Sequence, residues 1–226
     1  MDTRRLLSFI LTALLWSLPL FSQQSVHPLT GRQIAPVMGA DGADWLERPE
    51  RESEEAPEKA LDAISPLKGM VVGDVGAGTG YFSIRLARRV GATGKVYAND
   101  LQPKMLTLLR ANAAKAGVSN IETVLGSEAD PKLPVNALDL VLLVDVYHEF
   151  SQPQQMLQHI RASLKPDGRL VLLEYRKEDP SVPIRPEHKM SVKEVRTEVE
   201  AEGYKFDRVI ETLPRQHIII FKKGSM

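Results

Sequence analysis

The sequence predicts an α/β fold: a mainly parallel, doubly wound sheet with helices on both faces. Three observations carry this. From Met70 onward, short β-branched runs alternate with segments of helical spacing, the pattern of repeated strand–helix–strand units. Leu138 to Val144 is almost wholly apolar, as expected of a central strand buried on both faces. The first of the strands runs into a glycine-rich turn that opens a helix. The length of 226 residues suits one domain of ordinary size plus tails. With 43% hydrophobic and 26% charged residues, the composition is that of a folded chain.

The elements follow in order. Met70 to Val75 is a short apolar strand. Tyr81 to Val90 has helical spacing, Phe82 with Leu86 and Ile84 with Ala87, and Gly91 ends it. Lys95 to Asp100 is the second strand. Pro103 opens a helix at its favoured early position, with Met105, Leu108 and Leu109 on one face and Gly117 as its stop. Ile121 to Leu125 is the third strand and Leu138 to Val144 the fourth. A helix starts at Ser151 and turns Met156, Leu157, Ile160 and Leu164 inward. Pro166-Asp167-Gly168 reads as a turn before a fifth strand, Arg169 to Glu174. Ser191 and Glu194 form a capping box for a helix with Val192, Val195 and Val199 on its apolar side, ended by Gly203. Phe206 to Leu213 and Gln216 to Lys222 are two strands joined at Pro214-Arg215. Such a short link makes them a hairpin and one of them antiparallel.

Ahead of this domain, which runs from residue 67 to 226, lie two further segments. Residues 1–24 have the order of a secretory signal peptide: Arg4 and Arg5, then the uncharged stretch Leu6 to Phe21, then Ser22 as a small residue for cleavage. The stretch is shorter than the ~20 residues that cross a bilayer comfortably. An uncleaved membrane anchor is the alternative. The expected location is therefore exported, or anchored through that leader. Residues 25–66 form an N-terminal extension. Its glycine-rich part, Thr30 to Ala43, cannot be one continuous helix. Glu47 to Lys59 carries six Glu against two Arg and one Lys. It is either a solvated acidic face or linker, or a helical lid with Trp45 and Leu46 as its apolar contacts.

Composition removes several function classes. Lys plus Arg and Asp plus Glu both number 29, so the net charge is zero. A protein living on phosphate contacts would be basic, so no nucleic-acid partner is expected. Cysteine is absent, which excludes disulfides, thiol nucleophiles and thiolate metal sites.

The most informative segment is the run from Val71 to Gly80, VVGDVGAGTG. Strand, alternating glycines and helix stand in the context of a nucleotide-type ligand loop. Glycine admits positive φ and close ligand approach, and the helix N-terminus offers free N–H groups. The spacing G-x-G-x-G is not the G-x-G-x-x-G of dinucleotide loops. Asp74, two residues before the first of these glycines, would repel a pyrophosphate and suits a ligand with an ammonium group. Asp100 lies 20 residues beyond Gly80 at a strand end, where an acid accepts hydrogen bonds from ribose hydroxyls. Leu101 beside it could cover an adenine face.

With these residues in view, the chain resembles the class I S-adenosylmethionine-dependent methyltransferases. The motifs are GDVGAGTGYFS, VYANDLQPKML, LDLVLLVDVYHEF and LKPDGRLVLLEY, and the likeness spans about Ala60 to Lys223. It is strongest to the small-molecule branch with the methyltransferase type 11 pattern. The resemblance implies a Rossmann-like doubly wound seven-stranded sheet, order 3-2-1-4-5-7-6, with strand 7 antiparallel. It implies S-adenosyl-L-methionine as cofactor, the methionine part held by Asp74 and the loop Gly76, Ala77, Gly78 and Gly80, the ribose by Asp100 and Leu101. Ser127 and Glu128 would lie at the adenine edge, although the family commonly has Asp directly after the glycine where Ser127 follows Gly126. Asp145 and Val146 would stand near the transferable methyl group.

Methyl transfer from a sulfonium needs alignment above all, and a base only when the nucleophile arrives protonated. His148 is the candidate base because imidazole titrates near neutrality. Glu149 could orient it or bind a cationic acceptor, and Tyr147 could line the pocket. Asp145 and Glu149 alone do not make a metal site, so no metal is expected. Arg185, His188 and Lys189, in the loop Pro183 to Met190, would make a cationic wall or simply a solvated loop. The expected activity is methyl transfer to a small-molecule acceptor. The alternatives are a protein or peptide methyltransferase and a non-catalytic cofactor-binding accessory protein.

Overall fold

The computed structural model describes residues 26–224. The leader expectation for residues 1–24 lies outside them. Among the described residues, no helix is long and apolar enough to cross a membrane.

Seven strands form one sheet: β1 (Val71–Val75), β2 (Lys95–Asp100), β3 (Ile121–Leu125), β4 (Leu138–Val144), β5 (Leu164–Tyr175), β6 (Lys205–Ile210) and β7 (Gln216–Lys222). Their order is β3-β2-β1-β4-β5-β7-β6. Strands β1 to β5 pair in parallel, and β7 runs antiparallel to both β5 and β6. The order reverses between β1 and β4, and ligands bind at the carboxyl edge of such a switch point. Because β7 is antiparallel, its first residue, Gln216, lies at that same edge, paired with Tyr175.

Among the described residues seven α-helices accompany the sheet: α1 (Ala43–Leu46), α2 (Arg51–Glu55), α3 (Pro57–Ile64), α4 (Tyr81–Val90), α5 (Pro103–Lys115), α6 (Pro153–Ser163) and α7 (Val192–Ala201). The central strand β4 supplies both cores. Val141 and Leu143 pack with Met156, Leu157, Ile160, Val195 and Val199 of α6 and α7. Leu140 and Leu142 join the cluster of Leu61, Ile64, Leu86 and Val90 from α3 and α4. Two buried faces explain why β4 has no polar alternation.

Three local expectations differ from the structure. The buried face of α5 is Met105, Leu106 and Leu109, with Leu108 half-exposed, and Leu109 lies against Gly80 of the glycine loop. Helix α6 starts at Pro153 rather than Ser151, since proline fits the first helical position. Pro166-Asp167-Gly168 belongs to the irregular start of β5, where the register on β4 shifts between Leu138 and Leu140; the extra residues form a bulge. The capping box stands as expected, with Ser191 Oγ accepting from Glu194 N at 3.1 Å and Glu194 Oε2 accepting from Ser191 N at 2.9 Å.

The acidic stretch of the extension is not a solvated linker. On α2, Arg51 and Glu55 are 5% and 1% exposed and pair at 2.7 Å. On the outer side, Glu58 and Asp62 pair with Arg89 of α4 at 2.5 and 2.7 Å. Apolar contact by Leu61 and Ile64 drives α3 into the core, and its acids are left facing the basic turns of α4.

Candidate active site

The glycine loop follows β1. Gly76 has φ +74° and Gly78 +54°, a region side chains rarely adopt. At Gly76 space forbids a Cβ as well, which would collide with Val146, whereas at Gly78 it would meet only the movable tip of Leu46, 2.8 Å away. Both ends of the cleft thus close on the loop. Gly76 N and Ala77 N donate to Asn99 O at 2.9 and 2.8 Å, tying the loop to the end of β2. Asp100 completes the joint, accepting from Gly78 N at 3.0 Å and from Gln102 N at 2.8 Å. Burial raises its carboxyl above the usual range.

Asp74 is 2% exposed and accepts from Ser83 Oγ of α4 at 2.5 Å. Burial pushes its carboxyl up to about 6. Its side chain therefore clamps β1 to α4 behind the loop. Leu101 is 42% exposed beside Asp100, an apolar surface free to meet a flat ring. Ser127 sits in a tight turn, its N–H donating to Asp130 O at 2.8 Å. Glu128 accepts from Ser151 Oγ at 2.9 Å, which links the β3 and β4 edges.

Behind β4 the chain turns sharply. Asp145 has φ +48°, and its Oδ2 accepts from Gln216 Nε2 at 2.6 Å. Asp145 Oδ1 and Gln216 Oε1 are buried and have no hydrogen-bond partner among the described residues. Burial, then the charges of Glu55 and Glu174, hold the Asp145 carboxyl well above the usual range. Glu55 also accepts from Tyr175 OH at 3.0 Å, so α2 roofs this part of the cleft.

His148 and Glu149 sit on the short 3₁₀ turn Tyr147–Glu149. His148 is 2% exposed, with Nδ1 2.6 Å from Glu174 Oε2. Glu174 Oε1 accepts from Tyr147 N at 2.9 Å. His148 Nε2 lies 3.1 Å from His188 Nδ1, and His188 Nε2 lies 3.1 Å from Arg185 Nη2. Guanidinium only donates and carboxylate only accepts. The network therefore assigns both tautomers: Arg185 donates to His188, His188 Nδ1–H to His148 Nε2, and His148 Nδ1–H to Glu174. Burial, then His148 and Arg185, lower the His188 pKa. Burial raises the Glu149 carboxyl to about 7.

The backbone of His148 is fixed from the far end of the chain. Its carbonyl accepts from Ala35 N at 3.0 Å and from Arg32 Nη1 at 3.1 Å. Arg32 in turn pairs with Glu198 of α7 at 2.9 Å, and His27 with the same carboxylate at 3.4 Å.

The structure gathers Gly76, Asp145, Val146, His148 and Glu149 at one edge. It turns Tyr147 away: that ring is fully buried, edge-on to Phe150 at 5.5 Å between centroids. Lys189 is also withdrawn, 9% exposed and donating to Asp179 O at 3.2 Å. Sequence reasoning missed Ser83, Gln216, Arg51 and Glu55. For Gln216 a signal existed: an antiparallel last strand begins at the ligand edge. Arg51 and Glu55 lie within the stretch read as a possible lid, without being singled out, and nothing local marks Ser83.

A strand-turn-helix loop joined to a strand-end acid at a sheet switch point defines a nucleoside-cofactor site. Residues 66–212 match the family model described as methyltransferase domain. The chain belongs to the class I S-adenosylmethionine-dependent methyltransferases, whose cofactor is S-adenosylmethionine. A solved S-adenosylmethionine-dependent methyltransferase from Aquifex aeolicus is 30% identical with a TM-score of 0.77, over 82% of this chain and 98% of that one. The ubiquinone/menaquinone biosynthesis C-methyltransferase UbiE of Escherichia fergusonii is 30% identical over 118 residues, 52% of this chain and 47% of that protein. The nocamycin O-methyltransferase of Saccharothrix syringae is 32% identical over 140 residues, 62% of this chain and 48% of that protein. The chain thus spans about half the length of these two curated relatives.

Proposed function

We propose that the protein transfers a methyl group from S-adenosylmethionine to a small molecule bearing an acidic O–H or C–H. The observation that carries this is the Glu174-oriented imidazole of His148 standing beside the loop Gly76–Gly80. The similarity to a C- and an O-methyltransferase supports a small acceptor.

The residues present fit the cofactor. Asp100 keeps acceptor capacity for a ribose diol, Leu101 offers an apolar face, and the buried Asp145 Oδ1 is an unused acceptor at the edge. The cofactor supplies an activated methyl on a sulfonium. The chain's part is to align the acceptor, exclude water and take a proton. Glu174 fixes His148 with its proton on Nδ1, so Nε2 holds the lone pair that a base requires. His148 Nε2 is covered by His188, whose loop must yield for an acceptor to reach it. Arg185 beside His188 would attract an acceptor with anionic character. Tyr147 has no role at the reacting atoms in this reading; it holds the turn through packing. The segment Trp45–Glu55 serves as a lid, with Glu47 accepting from Thr79 Oγ1 of the loop. Residues 1–24 direct export or anchoring, which fractionation of cells expressing the full chain tests through the mass of the mature protein.

Calorimetric titration with S-adenosylhomocysteine, followed by turnover on phenols, enols and peptides, tests the reading. Asp100→Ala should weaken cofactor binding by about 1–3 kcal/mol, the cost of stranding polar ligand groups. Turnover of peptides alone would replace the small acceptor by a protein. Cofactor binding with no turnover on any acceptor would favour an accessory protein.

A further inference from the structure

We propose that His148, Glu149 and His188 bind a divalent transition-metal ion of the zinc class. The inference rests on that reading and deepens it: with the ion bound, His148 Nε2 is a ligand instead of a base, and the ion takes over the task of making the acceptor's proton labile. The sequence alone argued against a metal, because Asp145 and Glu149 lacked further ligands. The structure changes the ligand set. Asp145 is engaged by Gln216, while His188 arrives from a loop 40 residues away.

Four observations support the assignment. The donor atoms of His148, Glu149 and His188 all lie within 4.8 Å of one another. The two ring nitrogens are 3.1 Å apart, with the rings edge-on at 80°. Donors about 2.0–2.1 Å from one ion, at angles of about 90–110°, stand about 2.8–3.4 Å apart. Glu174 bonds the remote nitrogen of His148 at 2.6 Å, the carboxylate–histidine arrangement that orients metal ligands and raises their basicity. The Glu149 carboxylate faces one backbone N–H, that of Met38, and a carboxylate has two oxygens, so the second can turn onto an ion.

Two imidazoles and a carboxylate suit Zn²⁺, Co²⁺, Mn²⁺ or Fe²⁺ better than Mg²⁺, which prefers oxygen ligands and water. Three protein ligands leave a position open, as in catalytic rather than structural sites. An acceptor oxygen filling it would lose its proton more readily. Without metal, the contact between the rings is a shared proton on His188 Nδ1. The ion takes the place of that proton, His188 carries its single proton on Nε2 instead, and the exposed Arg185, which can only donate, turns away from it.

The test uses the full chain, stripped with chelator and titrated with Co²⁺ while visible absorption is read, then with Zn²⁺ as competitor. One equivalent should bind. His188→Ala and Glu149→Ala should each weaken binding at least about 10-fold, and Glu174→Gln about 10–100-fold, the usual cost of a lost outer-shell partner. His159→Ala, a surface histidine remote from the cluster, should leave it unchanged. Zn²⁺ should raise Tm in the wild type and not in His188→Ala, because only a bound ion stabilises the fold. No saturable Co²⁺ binding by the wild type, or binding untouched by His188→Ala, would overturn the assignment. S-adenosylhomocysteine titrations run in parallel keep the two readings apart. Cofactor binding without metal binding removes the metal alone, and metal binding without cofactor binding removes the methyl-transfer reading while the metal site stands.

Discussion

The loop half of the cleft comes from one contiguous stretch, Asp74 to Gly80, and the adjoining strand end at Asp100. The half behind β4 is gathered from residues 27–55, 145–149, 174, 188, 198 and 216. The first holds its shape through backbone: left-handed glycines and N–H groups donating to Asn99 and Asp100. The second holds its shape through buried charges, with His148 fixed by Glu174 on one side and by Arg32 on the other. Backbone-built sites tolerate little change in residue type. Charge-built sites tolerate little change in partner, because a stranded buried charge is costly.

The largest effect should come from the charge-built half. Glu198→Ala strands Arg32 and His27 in the core and should cost about 3–5 kcal/mol, read as a fall in Tm of about 10 °C or more. Affinity for S-adenosylhomocysteine should hardly change. A variant melting with the wild type would show that the extension does not depend on this pairing.

Gly76→Ala probes a place where the halves touch, the contact of the loop with Val146. Forced φ and the collision with Val146 should cost about 2–4 kcal/mol. Stability and cofactor affinity should fall together. A fall in affinity alone would mean that Val146 yields easily and the halves are independent.

Asp74→Asn reads the electrostatic cost inside the loop half. Burial holds the Asp74 carboxyl of the folded protein at about 6, above its ordinary 3.8. The stability contributed by its protonated form is present at low pH and is lost as pH rises through that interval. Asparagine cannot ionise, so the variant should be more stable than wild type by about 1–3 kcal/mol at pH 8. At pH 5, inside that interval, the gain should fall to about half. A gain that does not vary between these pH values would place the effect elsewhere.

The smallest effect belongs to the outer surface. Arg89→Ala removes pairs to Glu58 and Asp62, both well exposed, and should cost less than about 1 kcal/mol. A melting shift of many degrees would show that the extension is fastened at its rim rather than through its buried residues.

Much of the loop half was legible in the sequence. The motif Asp74–Gly80, the strand-end Asp100 and the hairpin style of the last two strands all stand where spacing put them. Local rules suffice there, since φ preferences and strand-turn-helix succession act within a few residues. The other half was legible only in its pieces. His148 and Glu149 were marked as candidates, and His188 was noted as a loop cation. That Tyr147 turns inward, and that Glu174, His148 and His188 form one chain, needed the strands in register.

By itself the sequence determined the sheet, its glycine loop and the class of ligand it was shaped to hold, because periodicity and backbone freedom are properties of neighbouring residues. Only the tertiary structure decided which charges share a dry interior. Burial makes an unpaired charge costly, so residues as distant as Arg32, Glu198, Glu174 and His188 settle around one short turn.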